Sequence, residues 1–250
     1  MSDEFLHAAL GSTGRAVFRL GLSGSYNPGE AALRHGIDAG MNYLFWYYWQ
    51  GQMARVLREV LPAWIVRRAL DSCRRKLRTD YIDVLQIFWL GDGRLSDRTL
   101  DVLRRAKDEG KIRHIAVSTH ARRYAAELVR AGKLDVLMMR YNAAHRGAEQ
   151  DIFPHLAASR PGVVSYTATR WGKLLKRPRA WPASERIPAA GDCYRFVLTN
   201  PNVHVCLTAP RSARELEENL AAVARGPLSE EELSFMRRFG DVVHAQSRFF

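Results

Sequence analysis

Short apolar runs of strand length alternate along this chain with stretches in which apolar residues return every three or four positions. The runs Phe18–Ser23, Asn42–Trp46, Tyr81–Phe88, Ile112–Val117, Leu134–Met139, Val163–Tyr166 and Val203–Leu207 read as strands. Helical spacing covers 29–39, 52–61, 65–77, 96–109, 121–131, 150–158, 189–199, 213–225 and 229–243. Stop signals follow many of these helices: Gly40, Pro62, Gly110, Gly132 and the Gly226-Pro227 pair. Ser229 with Glu232 three residues on forms a capping box for the last helix.

Strands and helices of these lengths, taken in turn, predict parallel β/α units. About eight such units close a barrel. Seven are clear. Between Leu61 and Arg68 a helix follows a helix, with only Trp64-Ile65-Val66 available as a strand. The expected fold is therefore α/β, a (β/α)8 TIM-type barrel shortened around its third strand, as a single domain over residues 1–250. The stretch Lys173–Pro188, with Pro178, Pro182 and Pro188, reads as a long loop over the C-terminal mouth.

Composition narrows the function classes. A hydrophobic content of 47% supports a sizeable core. The net charge of +12 invites a nucleic-acid reading, but the cations are scattered and only six are lysine (Lys76, Lys107, Lys111, Lys133, Lys173 and Lys176). No nucleic-acid motif accompanies them, and surplus positive charge suits a phosphate-bearing cofactor better. Cys73, Cys193 and Cys206 are odd in number and widely spaced, as expected of reduced thiols in a cytoplasmic protein. No targeting signal is read, and the densest apolar run, Tyr43–Trp49, is too short to span a membrane. The eight histidines form no metal-binding spacing, and there is no GxGxxG, Walker loop or Gly-x-Ser-x-Gly elbow.

Four motifs and one altered strand carry a family resemblance. Leu77-Arg-Thr-Asp-Tyr-Ile-Asp-Val-Leu-Gln-Ile-Phe-Trp89, Gly110-Lys-Ile-Arg-His-Ile-Ala-Val-Ser-Thr119, Arg140-Tyr-Asn-Ala143 and Thr208-Ala-Pro-Arg-Ser-Ala-Arg-Glu-Leu-Glu-Glu-Asn219 occur in order. Together they resemble the aldo/keto reductases, whose corresponding segments run Leu-Gly-x-Asp-Tyr-Ile-Asp, Gly-Lys-Ile-Arg-x-x-Gly-Val-Ser-Asn, Glu-Tyr-Asn-Pro and a phosphate-binding strand-to-helix turn. The resemblance implies an NADP(H)-binding oxidoreductase that acts on a small-molecule carbonyl. It places Arg211, Ser212 and Arg214 on the cofactor 2′-phosphate, with Glu218 and Asn219 near the adenine. Ser118 and Thr119 would serve the nicotinamide carboxamide, Asn142 would follow on the next strand, and Tyr166 would lend a ring to stack on the nicotinamide. Read without the family, Arg211 and Arg214 are solvated arginines at a helix start, and Tyr166 is equally a strand-end core residue.

The family's chemistry is altered. Gly40-Met-Asn-Tyr-Leu-Phe-Trp-Tyr-Tyr-Trp-Gln-Gly51 resembles the strand that carries a catalytic Asp and Tyr, yet Phe45 stands at the Asp position and Gln50 at the Tyr position. Phe88 stands at the His position, and the Lys belongs to the strand that is not found. Positioned acid–base groups contribute about 10²–10⁴-fold each, so the ordinary mechanism is not expected here. Tyr47, Tyr48, His120 and His145 are candidate substitutes as proton donors; a solvated loop histidine is the plainer reading of the last two. Glu149 is read as opening a helix. The mouth is expected to be aromatic, with Phe45, Trp46 and Trp171 among its rings, and Arg140, Arg146 and Arg170 are expected to ring the same face. Two readings stand: a carbonyl reductase working by an altered route, and a catalytically silent relative that binds a nucleotide or aromatic metabolite as a sensor or partner protein. A third, a decayed gene product, is opposed by the orderly caps after residue 68.

Overall fold

Alternation along each strand sorts side chains into a face toward the barrel axis and a face toward the helices. In the computed structural model, which describes residues 3–24, 30–45, 70–71, 73–75, 78–87 and 94–246, this sorting produces two cores. The strands are β1 (His7–Ala9), β2 (Ala16–Phe18), β3 (Leu20–Ser23), β4 (Leu44–Phe45), β5 (Ile82–Ile87), β6 (Ile112–Ser118), β7 (Val136–Arg140), β8 (Gly162–Tyr166) and β9 (Val205–Thr208). β3 to β9 form one seven-stranded sheet in the order β4-β3-β9-β8-β7-β6-β5, with every neighbour parallel. The strand order is that of a TIM-type barrel in which β3 and β9, near the two ends of the chain, close on each other. The expected strand around 64–66, and the helix expected at 52–61, lie outside the described residues.

The inner core is narrow: Tyr43, Val84, Ala116, Met138, Val164 and Leu207 meet across the axis. Gly21 sits among them, where a Cβ would come within 2.9 Å of Leu207 and Val205. Below them Leu10 and Val17 close the floor. Both belong to an antiparallel hairpin, β1 with β2, in the register Ala8↔Val17. The first strand was expected to begin at Phe18; residues 16–18 instead pair back on 7–9. The glycines at 11 and 14, both in the left-handed region, turn the chain there.

The outer core lies between the sheet and the helices α1 (Asp3–Leu6), α2 (Glu30–Asp38), α3 (Asp97–Asp108), α4 (Arg122–Arg130), α5 (Ala148–Asp151), α6 (Ala190–Thr199), α7 (Ala213–Ala224) and α8 (Glu230–Ala245). The expected helix over 150–158 is broken. α5 stops at Asp151 and continues as a tighter turn over Phe153–Ala158, because Pro154 has no N–H to donate. The proline-rich stretch 173–188 is pinned to α8: Trp181 packs on Phe235 and Phe239, with ring centroids 6.0 Å and 4.9 Å away. α8 carries the expected capping box, in which Ser229 accepts from the Glu232 N–H and Glu232 accepts from the Ser229 N–H.

Candidate functional site

The polar groups of the barrel interior gather at the C-terminal strand ends, where barrels of this type place their sites. The inner face runs Ala116 to Ser118 on β6, Val136, Met138 and Arg140 on β7, and Val164 to Tyr166 on β8. Pairing sets Ser118 against Met138 and Arg140 against Tyr166. Gln86 of β5 turns into the same space, its Nε2 3.0 Å from the Met138 sulfur. Met138 therefore offers this space a thioether rather than a hydrogen-bonding amide.

His120, two residues beyond β6, swings over this group. Its ring meets Tyr166 edge-on, with centroids 5.9 Å apart, and the Tyr166 hydroxyl lies 3.2 Å from Nδ1. Burial, and then the Arg140 charge, hold the imidazole below its ordinary value. Burial pushes the Tyr166 phenol up to about 12, against a smaller pull downward from Arg140. At neutral pH the pair is therefore a neutral phenol against a neutral imidazole, beside a guanidinium.

Arg140 supplies that charge without an acidic partner among the described residues. Burial disfavours its charged form; among the described residues the Tyr166 phenol supports it and Arg122 opposes it. Its Nη1 is enclosed and has no hydrogen-bond partner among the described residues. The Gln86 Oε1 is in the same condition. Unpaired buried groups of this kind are costly and rare in a folded chain, and they cluster where a ligand completes them.

The other sequence-predicted residues sort differently. Phe45 is buried on the inner face, with no charge to offer at the family's Asp position. Gln50, Phe88, Tyr47 and Tyr48 lie outside the described residues. Ser118 and Thr119 are buried at the end of β6, and the Thr119 hydroxyl accepts from the Ala121 N–H. Asn142 is fully buried: its amide donates to the Thr167 carbonyl and accepts from the Ala144 N–H, which folds the loop after β7. His145 is buried against His244 of α8, with ring centroids 5.3 Å apart. Glu149 does open a helix, α5, and it holds the Tyr141 hydroxyl and the Arg237 guanidinium. Of the three arginines expected to ring the mouth, Arg140 is there. Arg146 instead reaches Asp241 of α8. Arg170 is 1% exposed, donates to the Val243 carbonyl, and lies close enough to feel Arg140. Trp171, expected at the mouth, is 52% exposed.

At the far side of the mouth, Ser212 caps α7 by accepting from the Glu215 N–H. Arg211 and Arg214 stand 83% and 87% exposed, each paired with the carboxylate one turn on, Glu215 and Glu218. Such exposed pairs are weak and easily exchanged for another anion. Asn219 is buried and donates to the Thr208 hydroxyl, which donates in turn to Tyr194. It ties α7 to the end of β9. The reading from sequence took Tyr166, His120 and Arg140 one at a time, each with a different role; their union was not seen. The signal for it was Arg140 and Tyr166 at the ends of consecutive parallel strands, which register brings side by side.

Comparison with known proteins gives a consistent result. The Aldo/keto reductase family model matches residues 58–186, just over half of the chain. L-galactose dehydrogenase of Arabidopsis thaliana is 26% identical over 186 residues, 63% of this chain and 57% of that protein. The uncharacterized oxidoreductase YqkF of Bacillus subtilis is 23% identical over 199 residues, 69% of this chain and 64% of that protein. The match thus spans less than two thirds of either relative. Among solved structures, the aldo-keto reductase AKR11C1 from Bacillus halodurans, in holo and apo forms, superposes with a TM-score of 0.72 at 22% identity, covering 93% of this chain and 95% of that one.

Proposed function

The chain belongs to the aldo/keto reductase family of oxidoreductases, and from that premise we propose that it binds NADP(H) at the C-terminal mouth and reduces a small carbonyl compound with His120 as proton donor. The observation that carries this reading is the enclosed, unpartnered Nη1 of Arg140 beside the Tyr166–His120 pair. Polar groups buried without a structural partner at a barrel mouth fit a site completed by a ligand.

The residues present fit the cofactor. Arg211, Ser212 and Arg214 at the start of α7 combine exposed cations, a hydroxyl and helix-end N–H groups, a donor set suited to a 2′-phosphate. Glu218 and Asn219 border the adenine side, although Asn219 also has a structural bond to keep. Ser118, buried at the end of β6, is the residue read on a carboxamide, while Thr119 and Asn142 shape the loops around it. Tyr166 offers its ring face, and its hydroxyl holds His120. The bound cofactor supplies a hydride to the carbonyl carbon. His120, reaching solvent at the rim, gives its proton to the carbonyl oxygen and is reprotonated from water.

A second reading, binding without turnover, is favoured by one observation: Phe45 fills the inner face at the family's Asp position. Titration with NADPH, followed by quenching of Trp fluorescence, tests both. Saturable micromolar binding with turnover of an aldehyde supports the reductase. Binding without turnover of any carbonyl leaves the sensor. A folded protein that does not bind NADPH overturns both.

A further inference from the structure

We infer that the carbonyl substrate carries a carboxylate, which Arg140 receives through its guanidinium fork; this deepens the reductase reading and rests on it for the chemistry at the mouth. Arg140 projects from the inner face of β7 in register with Tyr166. Its Nη1 is enclosed without a partner among the described residues, and no carboxylate there acts on it. Arg170, nearly fully buried, lies close enough to be disfavoured by the Arg140 charge. An enclosed guanidinium N–H without an acceptor is unfavourable until one enters. The guanidinium presents parallel N–H groups at the spacing of a planar carboxylate.

Position separates this site from the cofactor phosphate. The α7 start, where Arg211 and Arg214 stand, follows β9, and β8 lies between β9 and β7. Two strand spacings put about 10 Å between the two sites. Arg140 is instead next to the proposed proton donor, since the His120 ring and Tyr166 hydroxyl are at its side. A carboxylate held there leaves the carbonyl of the same small molecule within reach of the imidazole. A neutral aldehyde offers the fork one uncharged acceptor in place of the paired, charged oxygens of a carboxylate.

The test compares 4-carboxybenzaldehyde with its methyl ester as substrates, and benzoate with methyl benzoate as unreactive probes, the latter by calorimetry with and without NADPH. In the wild type, kcat/KM for the acid exceeds that for the ester by about tenfold or more, the scale expected of a charged bidentate contact. In Arg140→Met the acid-to-ester ratio falls to near one, and benzoate binding is lost while methyl benzoate binding is not gained. Arg140→Lys, which keeps the charge but not the fork, restores part of the ratio and guards against a folding defect in the first variant. A wild type that binds NADPH but treats acid and ester alike overturns the inference and leaves the reductase reading intact. Benzoate binding through Arg140 in a protein that neither binds NADPH nor turns over overturns the reductase reading and supports the anion site. Competition between NADPH and benzoate would assign the anion to a cofactor phosphate and overturn the substrate carboxylate.

Discussion

The hydroxyl of Tyr166 lies 3.2 Å from Nδ1 and 3.3 Å from Nε2 of His120, so one phenol addresses both nitrogens of one imidazole across a rim that solvent reaches. Since burial and Arg140 hold the imidazole below its ordinary value, the imidazolium that donates best is populated on the acid side of neutrality. With His120 as the donor, kcat/KM falls as pH rises through that depressed value. His120→Phe loses the pH limb and about 10²-fold or more in kcat. Tyr166→Phe keeps the ring for stacking but frees the imidazole, so kcat falls and the limb moves while the KM for NADPH holds. An unchanged pH profile in both variants would remove His120 from the mechanism.

Arg140 acts on that imidazole through space, which can be tested without any substrate. Its charge opposes protonation of His120, second to burial. Arg140→Met therefore raises the His120 pKa, read from histidine ring resonances in a pH titration of the free protein. A value that does not move, or moves down, contradicts the arrangement of the three residues.

The two ends of α7 motif residues separate binding from structure. Arg211 and Arg214 are exposed and hold only carboxylates one turn on, so Arg211→Ala with Arg214→Ala costs little stability, within about 1 kcal/mol. The same double variant weakens NADPH binding much more than NADH binding, as titration of each will show. Equal loss for both nucleotides removes the 2′-phosphate assignment. Asn219→Ala behaves in the opposite way: it breaks the Asn219–Thr208–Tyr194 chain and lowers stability by about 1–2 kcal/mol.

Much of the barrel was legible because a parallel strand and the helix behind it obey different periods. Val163–Tyr166, Val203–Leu207 and the Ser229 cap were read nearly to the residue for that reason. The hairpin of β1 and β2 was not, because three-residue strands carry too little alternation to stand out. The helix over 150–158 failed on Pro154, whose missing N–H outweighed the apolar spacing. The site was half legible. Ser118, Arg140 and Tyr166 could be placed at strand ends, but their union depends on register, a long-range property with no local signature. Arg146 and His145 sit as close in sequence to the mouth, and α8 claims both.

That claim by α8 depends on one small residue. A Cβ on Gly240 would come 2.1 Å from the Ala143 carbonyl oxygen, so the helix backbone rests directly on the loop that Asn142 shapes. At an ordinary helix interior Gly→Ala stabilises by about 1 kcal/mol. Here Gly240→Ala reverses the sign, destabilising by about 1–3 kcal/mol as α8 is forced off the loop. Chemical denaturation measures it; a more stable variant would show that the contact is loose.

Another anchor of α8 lies at its other end and carries an acid-sensitive contribution to stability. Arg195 of α6 is buried, and its guanidinium donates to the Gly226 and Pro227 carbonyls and to both oxygens of Glu232. Those bonds, with the Ser229 N–H, hold the Glu232 carboxyl below its ordinary value of 4.5 despite some loss to burial. A carboxylate depressed in the folded state contributes stability that is present above its unfolded pKa and is lost as pH falls through the folded one. The contribution is therefore complete at neutral pH and is lost progressively as pH falls from about 4.5 through the depressed folded value. Glu232→Gln keeps a side chain able to cap α8 but gives up the charge, so its denaturation midpoint lies below that of the wild type at pH 7 and converges with it as pH falls through the depressed value of Glu232. Arg195→Met removes the partner of a half-buried carboxylate and two backbone carbonyls at once, and costs about 3 kcal/mol at neutral pH. Parallel curves for wild type and Glu232→Gln across this range would mean that the pair holds geometry alone and that the acid sensitivity of the fold lies elsewhere.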